Sequence, residues 1–474
     1  MYLCRFERIA PAAPRRQRNT ISINTMSNKF KEVSESYTMA EAIQEAQRCL
    51  RCKNPSCKKG CPIENDIPDW IHELRMGNLG NAINIIRAKS NLPSVCGRVC
   101  AHERQCQGSC ILGKQGKNIN IGKLERFIAD FDAELQLTHS DIPTKSRGKV
   151  AVIGSGPAGL TVSGDLARMG FHVEIFDMER EAGGVLMYGI PEYRLPKEVV
   201  RREVRLIEEL GVVFHMNTTV GEDITIDQMF EQGFDAVFVG TGTSKPRELD
   251  IPGKEVRGAV MATHFLRIAQ LYQDGLAGRN EVAVKPGDKV YVIGCGNTAM
   301  DAARMATRLG ARSVDVVYHR TIDRMAALHS EYEEALQEGV TFNWNADIVE
   351  IHSDDNGSMT EIVMQTKRPA PTPDDPDHLE YDRKTLGADV VLLAVGAQPA
   401  TTAAKNTSGI TTDEKGFMLT REMPYGMTSR RGVFAGGDVA NRQATVVHAM
   451  RDAKHVAQGI AQYIDAINLI DAIK

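Results

Sequence analysis

The sequence lacks any uninterrupted apolar run that is long enough to cross a bilayer, so we expect no membrane span. It also lacks an excess of one charge, because 57 basic and 61 acidic residues leave a net charge of −4. That balance indicates neither nucleic acid nor a membrane surface as a partner. No Ser-His-Asp triad, paired carboxylates or zinc-hydrolase pattern is evident. The length predicts about three domains.

The first 26 residues lack a hydrophobic period and contain one acidic residue, Glu7, beside five arginines. This composition is typical of an organellar transit peptide, but it also fits translated upstream sequence that precedes a working start at Met26. We favour the second interpretation and expect a cytoplasmic protein, with organellar import as the alternative. Either interpretation predicts that residues 1–26 are disordered and lie outside the fold.

Eight of the ten cysteines lie in two tight groups ahead of a glycine-rich loop. Thiolates at this density suit an iron–sulfur cluster, in which each iron takes one cysteine sulfur. The proline after the first group is typical of the bacterial ferredoxin run, whose last cysteine ligates a second cluster. The groups are Cys49-x2-Cys52-x4-Cys57-x3-Cys61-Pro62 and Cys96-x3-Cys100-x5-Cys106-x3-Cys110.

Zinc binding and disulfide bonding fit the cysteine pattern less well. Zinc accepts a C-x2-C pair, but structural zinc sites combine two pairs at finger or ribbon spacing. Disulfides need an oxidising compartment and are typical of small secreted domains, whereas this chain is long and shows no apolar signal-peptide core. The pattern therefore favours iron–sulfur clusters, which carry single electrons.

Apolar residues recur at helical spacing between the cysteine groups, for example at Ile67, Trp70 and Leu74. They predict short helices that pack around the cysteines in a helical domain of residues 27–145. Metal ligation would tie the loops of such a domain together. Residues 142–148 are predicted to form a linker.

An internal repeat follows the linker. The segment Lys149–Leu160 matches the segment Lys289–Met300, and each copy has its own later strand within Asp235–Gly242 or Asp389–Gly396. Both later strands are predicted to be buried and parallel. Two copies of one βαβ unit predict an α/β fold with two Rossmann-like dinucleotide-binding domains after the helical domain.

The C-terminal part returns to a glycine-rich strand end at Gly432–Asp438 and then to a helix from about Thr445. We therefore predict that the second dinucleotide-binding domain, residues 256–399, is inserted into the first, residues 146–255 and 400–474. Residues 352–386 contain four prolines and are predicted to form an exposed hairpin or loop without chemistry.

The first glycine loop follows the strand Val150–Ile153 and opens a helix, which is the context that a dinucleotide fingerprint requires. Its glycines permit a tight turn, close approach of a pyrophosphate and packing of the helix on the strand. The helix N-terminus offers unpaired N–H groups to phosphates, and an acid after the next strand suits a ribose diol. The residues predicted to bind here are Gly154, Gly156, Pro157, Ala158, Gly159 and Asp177.

The second glycine loop has alanine in its third position, which the fingerprint allows. Where the first copy has its acid, the second has His319 followed by Arg320. This basic pair suits a 2′-phosphate and favours NADP(H) over NAD(H). Arg324 is either a further phosphate contact or a solvated helix charge. The residues predicted to bind here are Gly294, Gly296, Asn297, Thr298, Ala299, His319, Arg320 and Arg324.

Two dinucleotide folds predict two cofactors, a nicotinamide and a flavin. A nicotinamide delivers a hydride and a flavin releases electrons singly, while the protein supplies positioning and electrostatics. We therefore assign no catalytic side chain. Beside iron–sulfur clusters, this combination indicates an electron-transfer oxidoreductase.

Three further stretches, Ile119–Phe127, Gly183–Pro196 and Ala435–Asp438, carry a resemblance together with the two cysteine groups. Over about residues 30–470 the chain resembles the small (beta) subunit family of NADPH-dependent glutamate synthase. The resemblance extends to the N-terminal half of dihydropyrimidine dehydrogenase, the large subunit of NADH-dependent ferredoxin:NADP oxidoreductase and a sulfide dehydrogenase subunit.

The resemblance implies two [4Fe-4S] clusters, one FAD and one NADPH. It makes Glu125 an oxygen ligand, which iron accepts, although the residues alone would make this a helix-surface acid. Cys96 is left as a non-ligand. The ligands implied for one cluster are Cys49, Cys52, Cys57 and Cys110. Those implied for the other are Cys61, Cys100, Cys106 and Glu125.

For FAD, the resemblance implies contacts beyond the first glycine loop. Asp438 would hydrogen-bond the ribityl or pyrophosphate region, and the helix near Thr445 would aim its N-terminus at the flavin N1/O2 edge. His319 departs from the family, which usually has arginine there, and this weakens the expected 2′-phosphate contact. The further residues implied for FAD are Gly184, Arg194, Val220, Thr243, Gly437, Asp438, Thr445 and Val446.

The resemblance implies that electrons pass from NADPH through FAD and two clusters to a partner, in the leading case the glutamate synthase large subunit. We also expect an oligomer. One alternative is the NADP(H)-binding subunit of a ferredoxin-linked, bifurcating transhydrogenase or of a sulfide dehydrogenase. Another is a non-catalytic electron-transfer scaffold, against which the intact loops and complete ligand set argue.

Overall fold

The structure is a computed structural model that describes residues 28–138, 142–247, 249–369, 379–399, 402, 406–442 and 445–473. The predictions for residues 1–26 lie outside this part of the chain. Among the helices it describes, none is both long and apolar enough to cross a membrane.

The N-terminal part is helical, as the sequence predicts. Its first helix begins at a capping box, because the Thr38 hydroxyl accepts the Glu41 N–H while the Glu41 carboxylate accepts the Thr38 N–H. The helices are α1 (Met39–Gln47), α2 (Ser56–Gly60), α3 (Ile67–Arg75), α4 (Leu79–Arg87), α5 (Pro93–Val99) and α6 (Ile121–Leu135).

The apolar faces of α3, α4 and α6 form one core. Trp70 and Leu74, which the helical spacing placed on one face, are at most 1% exposed, and Leu124 of α6 packs in the same cluster. Burying each such side chain stabilises the domain by about 1.5–3 kcal/mol. Cysteines of both groups pack against the edge of this core, so the helices position the thiols.

The first nucleotide-binding domain begins with a parallel βαβ unit. Its central strand pairs with the strands on both sides, and Ile153 lies opposite both Phe176 and Val239. The elements of this half are β1 (Lys149–Ile153), α7 (Pro157–Arg168), β2 (His172–Phe176), α8 (Val185–Tyr188), α9 (Lys197–Glu208), β3 (Val213–His215), α10 (Ile226–Glu231) and β4 (Ala236–Val239).

The second domain repeats the same plan. Its first elements are β5 (Lys245–Pro246), β6 (Ala259–Met261), α11 (Ala262–Gln273), β7 (Lys289–Ile293), α12 (Asn297–Arg308), β8 (Ser313–Tyr318), α13 (His329–Gln337) and β9 (Thr341–Trp344). The remaining ones are β10 (Ala346–Ser353), β11 (Met359–Pro369), β12 (Leu379–Gly387), β13 (Val390–Leu393) and β14 (Ala397–Gln398). The five-stranded sheet has the order β6-β13-β7-β8-β9.

Strands β10, β11 and β12 form a separate antiparallel sheet, and most of β12 is exposed. The prediction of an exposed hairpin or loop for residues 352–386 fits β12, whereas Ile362 of β11 is buried; residues 370–378 lie outside the described residues.

The last strands return to the first sheet. They are β15 (Thr420–Glu422), β16 (Tyr425–Thr428) and β17 (Val433–Ala435), and they precede the long helix α14 (Val446–Ile473). Strand β17 pairs in parallel with β4 and completes the seven-stranded order β15-β16-β17-β4-β1-β2-β3. The second domain is therefore inserted into the first, as predicted.

The chain passes between the two sheets twice, and the two passages pair as the antiparallel ribbon β5–β14. The domain limits of 255/256 and 399/400 stay a prediction.

A shared hydrogen bond shows how closely the two copies correspond. The Asp235 carboxylate accepts the backbone N–H of Lys149 at 2.7 Å, and the Asp389 carboxylate accepts that of Lys289 at 2.7 Å. In both copies this bond ties the start of the later strand to the start of the first strand. The repeat seen in the sequence is thus a repeat of hydrogen bonds as well as of glycines.

A buried ion network joins the two nucleotide-binding domains. Arg194, in the loop before α9, lies 2.8 Å from Asp301 of α12 and 2.6 Å from Glu331 of α13. Arg304 of α12 lies 3.0 Å from Glu331 and its side chain is 1% exposed. Tyr193 donates its hydroxyl hydrogen to the Asp301 carbonyl at 3.1 Å. Charges buried this deeply are tolerated because each one is paired.

We expect the variant Arg304→Met to lose about 3–5 kcal/mol of unfolding free energy, because the buried Glu331 would lose one of its two arginine partners. Urea unfolding followed by the fluorescence of Trp344 would measure it, since that ring lies 5.9 Å from Tyr332 of α13.

The matched control is Arg205→Met. Arg205 pairs with Glu198 on the surface of α9, where the two side chains are 53% and 68% exposed. This control should cost at most about 1 kcal/mol. Equal losses in the two variants would contradict a stabilising role of the buried network.

Candidate functional site

The four cysteines implied for one cluster surround a single cavity. Its volume is about 230 Å³, and its lining includes Cys49, Cys52, Cys57 and Cys110. Cys57 lies in α2, and the other three lie in the loops after α1 and before Ile111. Residues from distant parts of the sequence thus face one space.

The second implied set surrounds a smaller cavity, which is lined by Cys61, Cys100, Cys106 and Glu125. Glu125 reaches it from α6, so this acid faces the cysteines. His102 lines the same cavity, and its Nε2 atom is buried without a hydrogen-bond partner among the described residues.

The two cavities are neighbours. Ile67 lines both of them, and the second cavity also touches Val447 in the first turn of α14. The cysteine groups therefore lead from one cavity to the next and then to the helix that the resemblance places at the flavin.

The thiols are held in surroundings that disfavour a bare negative charge. Burial raises the pKa of Cys57 to about 11 and that of Cys61 to about 12. A hydrogen bond with Cys96 and burial raise the pKa of Cys100. Burial raises the pKa of Glu125 to about 8, and Glu203 adds to this effect. A bound metal cluster would supply the positive charge that these groups need, and its binding would release protons.

The implied ligands are spread around the walls of the two cavities. Among the residues that the structure describes, no three His, Cys, Asp or Glu side chains are close enough to hold one metal ion. A [4Fe-4S] cluster binds each cysteine through a different iron, so its ligands surround a wider space. The nine described cysteines form no disulfides, so the seven that the resemblance implies as cluster ligands are not tied up in disulfide bonds.

Cys96 lines the second cavity but has other neighbours. Its Sγ atom lies 3.8 Å from the Ser90 hydroxyl oxygen and 3.6 Å from the Met450 sulfur of α14. That Cys96 is not a cluster ligand stays a prediction.

The first glycine loop has the geometry that a dinucleotide needs. A Cβ atom at Gly159 would lie 1.8 Å from the Gly154 carbonyl oxygen, so helix and strand pack more closely than a side chain allows. A Cβ atom at Gly156 would meet nothing within 4 Å, which leaves open space at the N-terminus of α7. Thr241 beside the loop has a buried hydroxyl without a partner among the described residues. These features fit a bound pyrophosphate.

Asp177 follows β2, as predicted, and its carboxylate holds the loop. It accepts the Ser155 N–H at 2.6 Å and the Glu179 N–H at 2.9 Å. A contact between Asp177 and a ribose stays a prediction.

Two other parts of the chain, around Gly184 and around Gly437, pack onto the same loop. A Cβ atom at Gly437 would lie 2.8 Å from the Cβ atom of Ala158, and one at Gly184 would lie 2.8 Å from the Gly156 Cα. Burial, and then the nearby Asp452, raise the pKa of Asp438 to about 6. The structure thus brings distant predicted residues together around one loop.

The other predicted flavin residues have varied surroundings. Thr445 is hydrogen-bonded to His448 at 2.6 Å, and Val446 begins α14. Val220 is 6% exposed and packs in the core beneath β1, while Thr243 lies in the partly buried loop after β4. The guanidinium of Arg194 is bound in the interdomain ion network, so a contact with FAD stays a prediction.

The second glycine loop repeats this geometry at the N-terminus of α12. A Cβ atom at Gly294 would lie 2.4 Å from the Ala394 carbonyl oxygen, and one at Gly296 would meet nothing within 4 Å. Thr298 is exposed and Ala299 is buried. Burial raises the pKa of Cys295 to about 12, which keeps its thiol protonated.

The predicted 2′-phosphate residues lie at the end of β8. His319 and Arg320 are both exposed there, next to the glycine loop, whose Gly294 N–H donates to the Val317 carbonyl at 3.0 Å. The Arg324 side chain is 72% exposed and lies 3.5 Å from Asp323. The structure therefore keeps both interpretations of Arg324 open.

Sequence reasoning missed three residues of these sites. Ser155 binds Asp177 through its hydroxyl as well as its N–H, Thr241 faces the first loop, and His102 lines the second thiol cavity. Ser155 and His102 lie at unspecified positions inside the glycine-loop and cysteine motifs. Their location within these motifs is the one sequence feature that could have indicated a role at the sites.

Two protein families match the chain, one over its N-terminal part and one over the rest. Residues 26–137 match the family described as dihydropyrimidine dehydrogenase domain II, 4Fe-4S cluster. Residues 148–453 match the family described as pyridine nucleotide-disulphide oxidoreductase. The chain thus carries a 4Fe-4S domain followed by a dinucleotide-binding oxidoreductase region.

Curated relatives match almost the whole chain. The glutamate synthase (NADPH) small chain of Halomonas elongata is 35% identical over 93% of this chain and 94% of that protein. The small chain of Escherichia coli is 33% identical over 92% and 94%. The subunit PreT of the NAD-dependent dihydropyrimidine dehydrogenase of Escherichia coli is 30% identical over 92% and 98%.

Solved structures of other proteins resemble about two thirds of this chain. FprA of Mycobacterium tuberculosis in complex with NADPH has a TM-score of 0.54 at 17% identity, covering 68% of this chain and 85% of that one. Thioredoxin reductase of Lactococcus lactis has a TM-score of 0.51 at 23% identity, covering 67% and 99%. These likenesses show the fold.

Identity above 30% along nearly the full length of several small chains, on a fold with one 4Fe-4S domain and two nucleotide loops, establishes the relationship. The chain belongs to the glutamate synthase (NADPH) small-chain family of iron–sulfur flavoprotein oxidoreductases.

Proposed function

We propose that the chain oxidises NADPH at a bound FAD and passes the electrons through two [4Fe-4S] clusters to a partner protein. One observation carries this proposal. The two thiol-lined cavities share Ile67, and the second reaches Val447 at the start of α14, where the predicted flavin residues lie. Such a row of sites suits electron transfer over short steps.

The side chains of this chain would act by binding and orienting the cofactors. When bound, FAD would accept a hydride from NADPH and release single electrons to the clusters. The N-terminus of α7 offers its free N–H groups to the FAD pyrophosphate, and that of α12 offers its own to NADPH. Asp438 stands beside the first loop, and Arg320 would bind the 2′-phosphate by a charge-assisted contact.

We further propose that the acceptor is the large chain of a glutamate synthase. The support is the match over 94% of the small chains of two organisms, since a small chain implies a large one. The two families that match the chain are a 4Fe-4S family and a pyridine nucleotide-disulphide oxidoreductase family, so in this proposal the large chain makes the glutamate.

A second acceptor has specific support. The PreT subunit, matched over 98% of its length, is named as part of a dihydropyrimidine dehydrogenase. A chain of similar length and sequence is thus a subunit of a different enzyme. The acceptor is therefore to be identified by experiment.

The purified chain should reduce an artificial dye with NADPH and should form no glutamate from glutamine and 2-oxoglutarate. Adding the large glutamate synthase chain of the same organism should restore NADPH-dependent glutamate formation. Dye reduction with no such restoration would exclude the glutamate synthase partner but leave the oxidoreductase. Flavin absorbance that NADPH does not bleach would contradict the oxidoreductase itself.

We expect Cys57→Ala to lose about four iron atoms per chain, because one ligand of the first cluster would be missing. Iron and acid-labile sulfide would be measured together with flavin content, which should stay near one per chain if the nucleotide domains remain folded.

Cys96→Ala is the matched control, since Cys96 lies at the second cavity beside Ser90 and Met450 but is predicted not to bind iron. It should keep the full iron content. Loss of iron from this variant would show that the ligand set has been assigned wrongly.

Arg320→Ala should raise the KM for NADPH by about 10- to 100-fold and leave that for NADH nearly unchanged. The reason is that a hydrogen bond to a charged group is worth about 1.5–3 kcal/mol, and only NADPH has the 2′-phosphate. Steady-state dye reduction with each nucleotide would measure the two values.

Arg312→Ala is the control, because Arg312 is an exposed arginine of the same domain at the start of β8 rather than at its end. A fall in the use of both nucleotides in Arg320→Ala would mean that Arg320 supports the domain and does not select the phosphate.

A further inference from the structure

The loop that carries two of the proposed cluster ligands is also hydrogen-bonded to the inserted domain. Between Cys100 and Cys106 lie Glu103 and Arg104. The Glu103 carboxylate accepts the backbone N–H of His329 at 2.8 Å and that of Ser330 at 3.4 Å. Arg104 donates to the Ala326 carbonyl at 3.1 Å and to the Ala327 carbonyl at 2.6 Å.

These contacts hold one short segment, Ala326–Ser330, from both ends. Glu103 meets the free N–H groups that begin α13, where a negative charge is favourable. Arg104 meets carbonyl groups just before them. A carboxylate on donors and a guanidinium on acceptors are complementary, so the segment is fixed in direction as well as in place.

The held segment is also bonded to the second glycine loop. The Ala327 N–H donates to the Cys295 carbonyl at 3.0 Å, and the Leu328 N–H donates to the Asn297 side-chain oxygen at 3.0 Å. Ala327 and Leu328 are buried. A continuous line of hydrogen bonds thus runs from the cysteine loop through Ala326–Ser330 to the residues predicted to bind NADPH.

We propose that Glu103 and Arg104 are positioning residues that couple the cluster bound at Cys61, Cys100 and Cys106 to the NADPH site. The proposal rests on the proposed function, because it takes the second glycine loop as the NADPH site and the second cavity as a cluster site. When the cysteine loop is held by the cluster, Glu103 and Arg104 hold the segment that supports the glycine loop.

Such coupling is reciprocal. If the cysteine loop favours the binding geometry of the NADPH loop, then nucleotide binding must favour the corresponding geometry of the cysteine loop. The nucleotide should therefore alter the surroundings of the cluster although it does not touch it. Glu103 and Arg104 are themselves exposed, so solvent screening keeps the expected effect moderate.

The test uses the FAD- and cluster-loaded protein and the probe 2′,5′-ADP, which carries the 2′-phosphate but no nicotinamide and so cannot transfer electrons. In Glu103→Ala/Arg104→Ala, the Kd of 2′,5′-ADP measured by calorimetry should rise by about 3- to 30-fold, as expected for a few lost hydrogen bonds to charged groups. The KM for NADPH in dye reduction should rise with it, while kcat stays near that of the unchanged protein.

The second readout is the electron paramagnetic resonance spectrum of the reduced clusters. In the unchanged protein, 2′,5′-ADP should alter the signal of one cluster. In the double variant this response should disappear although the nucleotide is added to saturation and the iron content is unchanged. A role confined to folding would not remove the response selectively.

Two further variants complete the design. Arg257→Ala is the matched control, since Arg257 is an exposed arginine that also bonds a backbone carbonyl, at Asn356, within the inserted domain. It should leave both readouts unchanged. Arg104→Lys keeps one donor for the carbonyl groups and should restore part of the affinity that Arg104→Ala loses.

An unchanged Kd in the double variant would overturn the proposal, and so would a cluster signal that never responds to 2′,5′-ADP or that still responds in the double variant. Failure of the proposed function looks different. In that case 2′,5′-ADP would not bind the unchanged protein, or Arg320→Ala would bind it as tightly as before.

Discussion

The buried ion network of Arg194, Asp301, Arg304 and Glu331 is the constraint on which the arrangement of the nucleotide-binding domains depends. Each charge is costly to bury alone, and each is neutralised by a partner from the other domain or the neighbouring helix. A rotation of the inserted domain about the β5–β14 ribbon would separate these partners. The network therefore favours one relative orientation, and with it a fixed distance between the two glycine loops.

The same junction extends to the iron–sulfur domain. Phe30 packs in the core of the inserted domain beside Tyr193, and the Val33 N–H donates to the Tyr193 carbonyl at 2.9 Å. Glu32 pairs with Arg98 of α5 and Arg126 of α6. The segment before α1 thus joins all three parts of the molecule. An electron-transfer protein benefits from such rigidity, because each step depends on a short and constant distance between sites.

Sequence reasoning was most successful where the signal is local. The glycine loops, the two cysteine groups and the repeat of Asp235 in Asp389 are short patterns with fixed spacing, and from them the α/β class and the inserted domain were predicted. The contacts between domains were not predicted. Glu103 and His329 are far apart in the chain, and so are Arg194 and Asp301. The sequence around a charged residue does not indicate which distant residue it will contact. The resemblance implies a contact between Arg194 and FAD, which stays a prediction, but no local pattern predicted that the Arg194 charge would also pair with the inserted domain.

The two glycine loops show how one repeat can serve two nucleotides. The core bonds are the same, since Asp235 and Asp389 tie equivalent strands at the same distance. The differences lie where a ligand would approach. After β2 the acid Asp177 is buried and bonded to Ser155, whereas after β8 the corresponding His319 is exposed and followed by Arg320. The exposed basic pair lies where a phosphate could approach, while the buried acid is bonded to its own loop. Under the proposed function, this divergence at the ligand edge, with the strand bonds unchanged, would let one fold bind two dinucleotides that differ in charge.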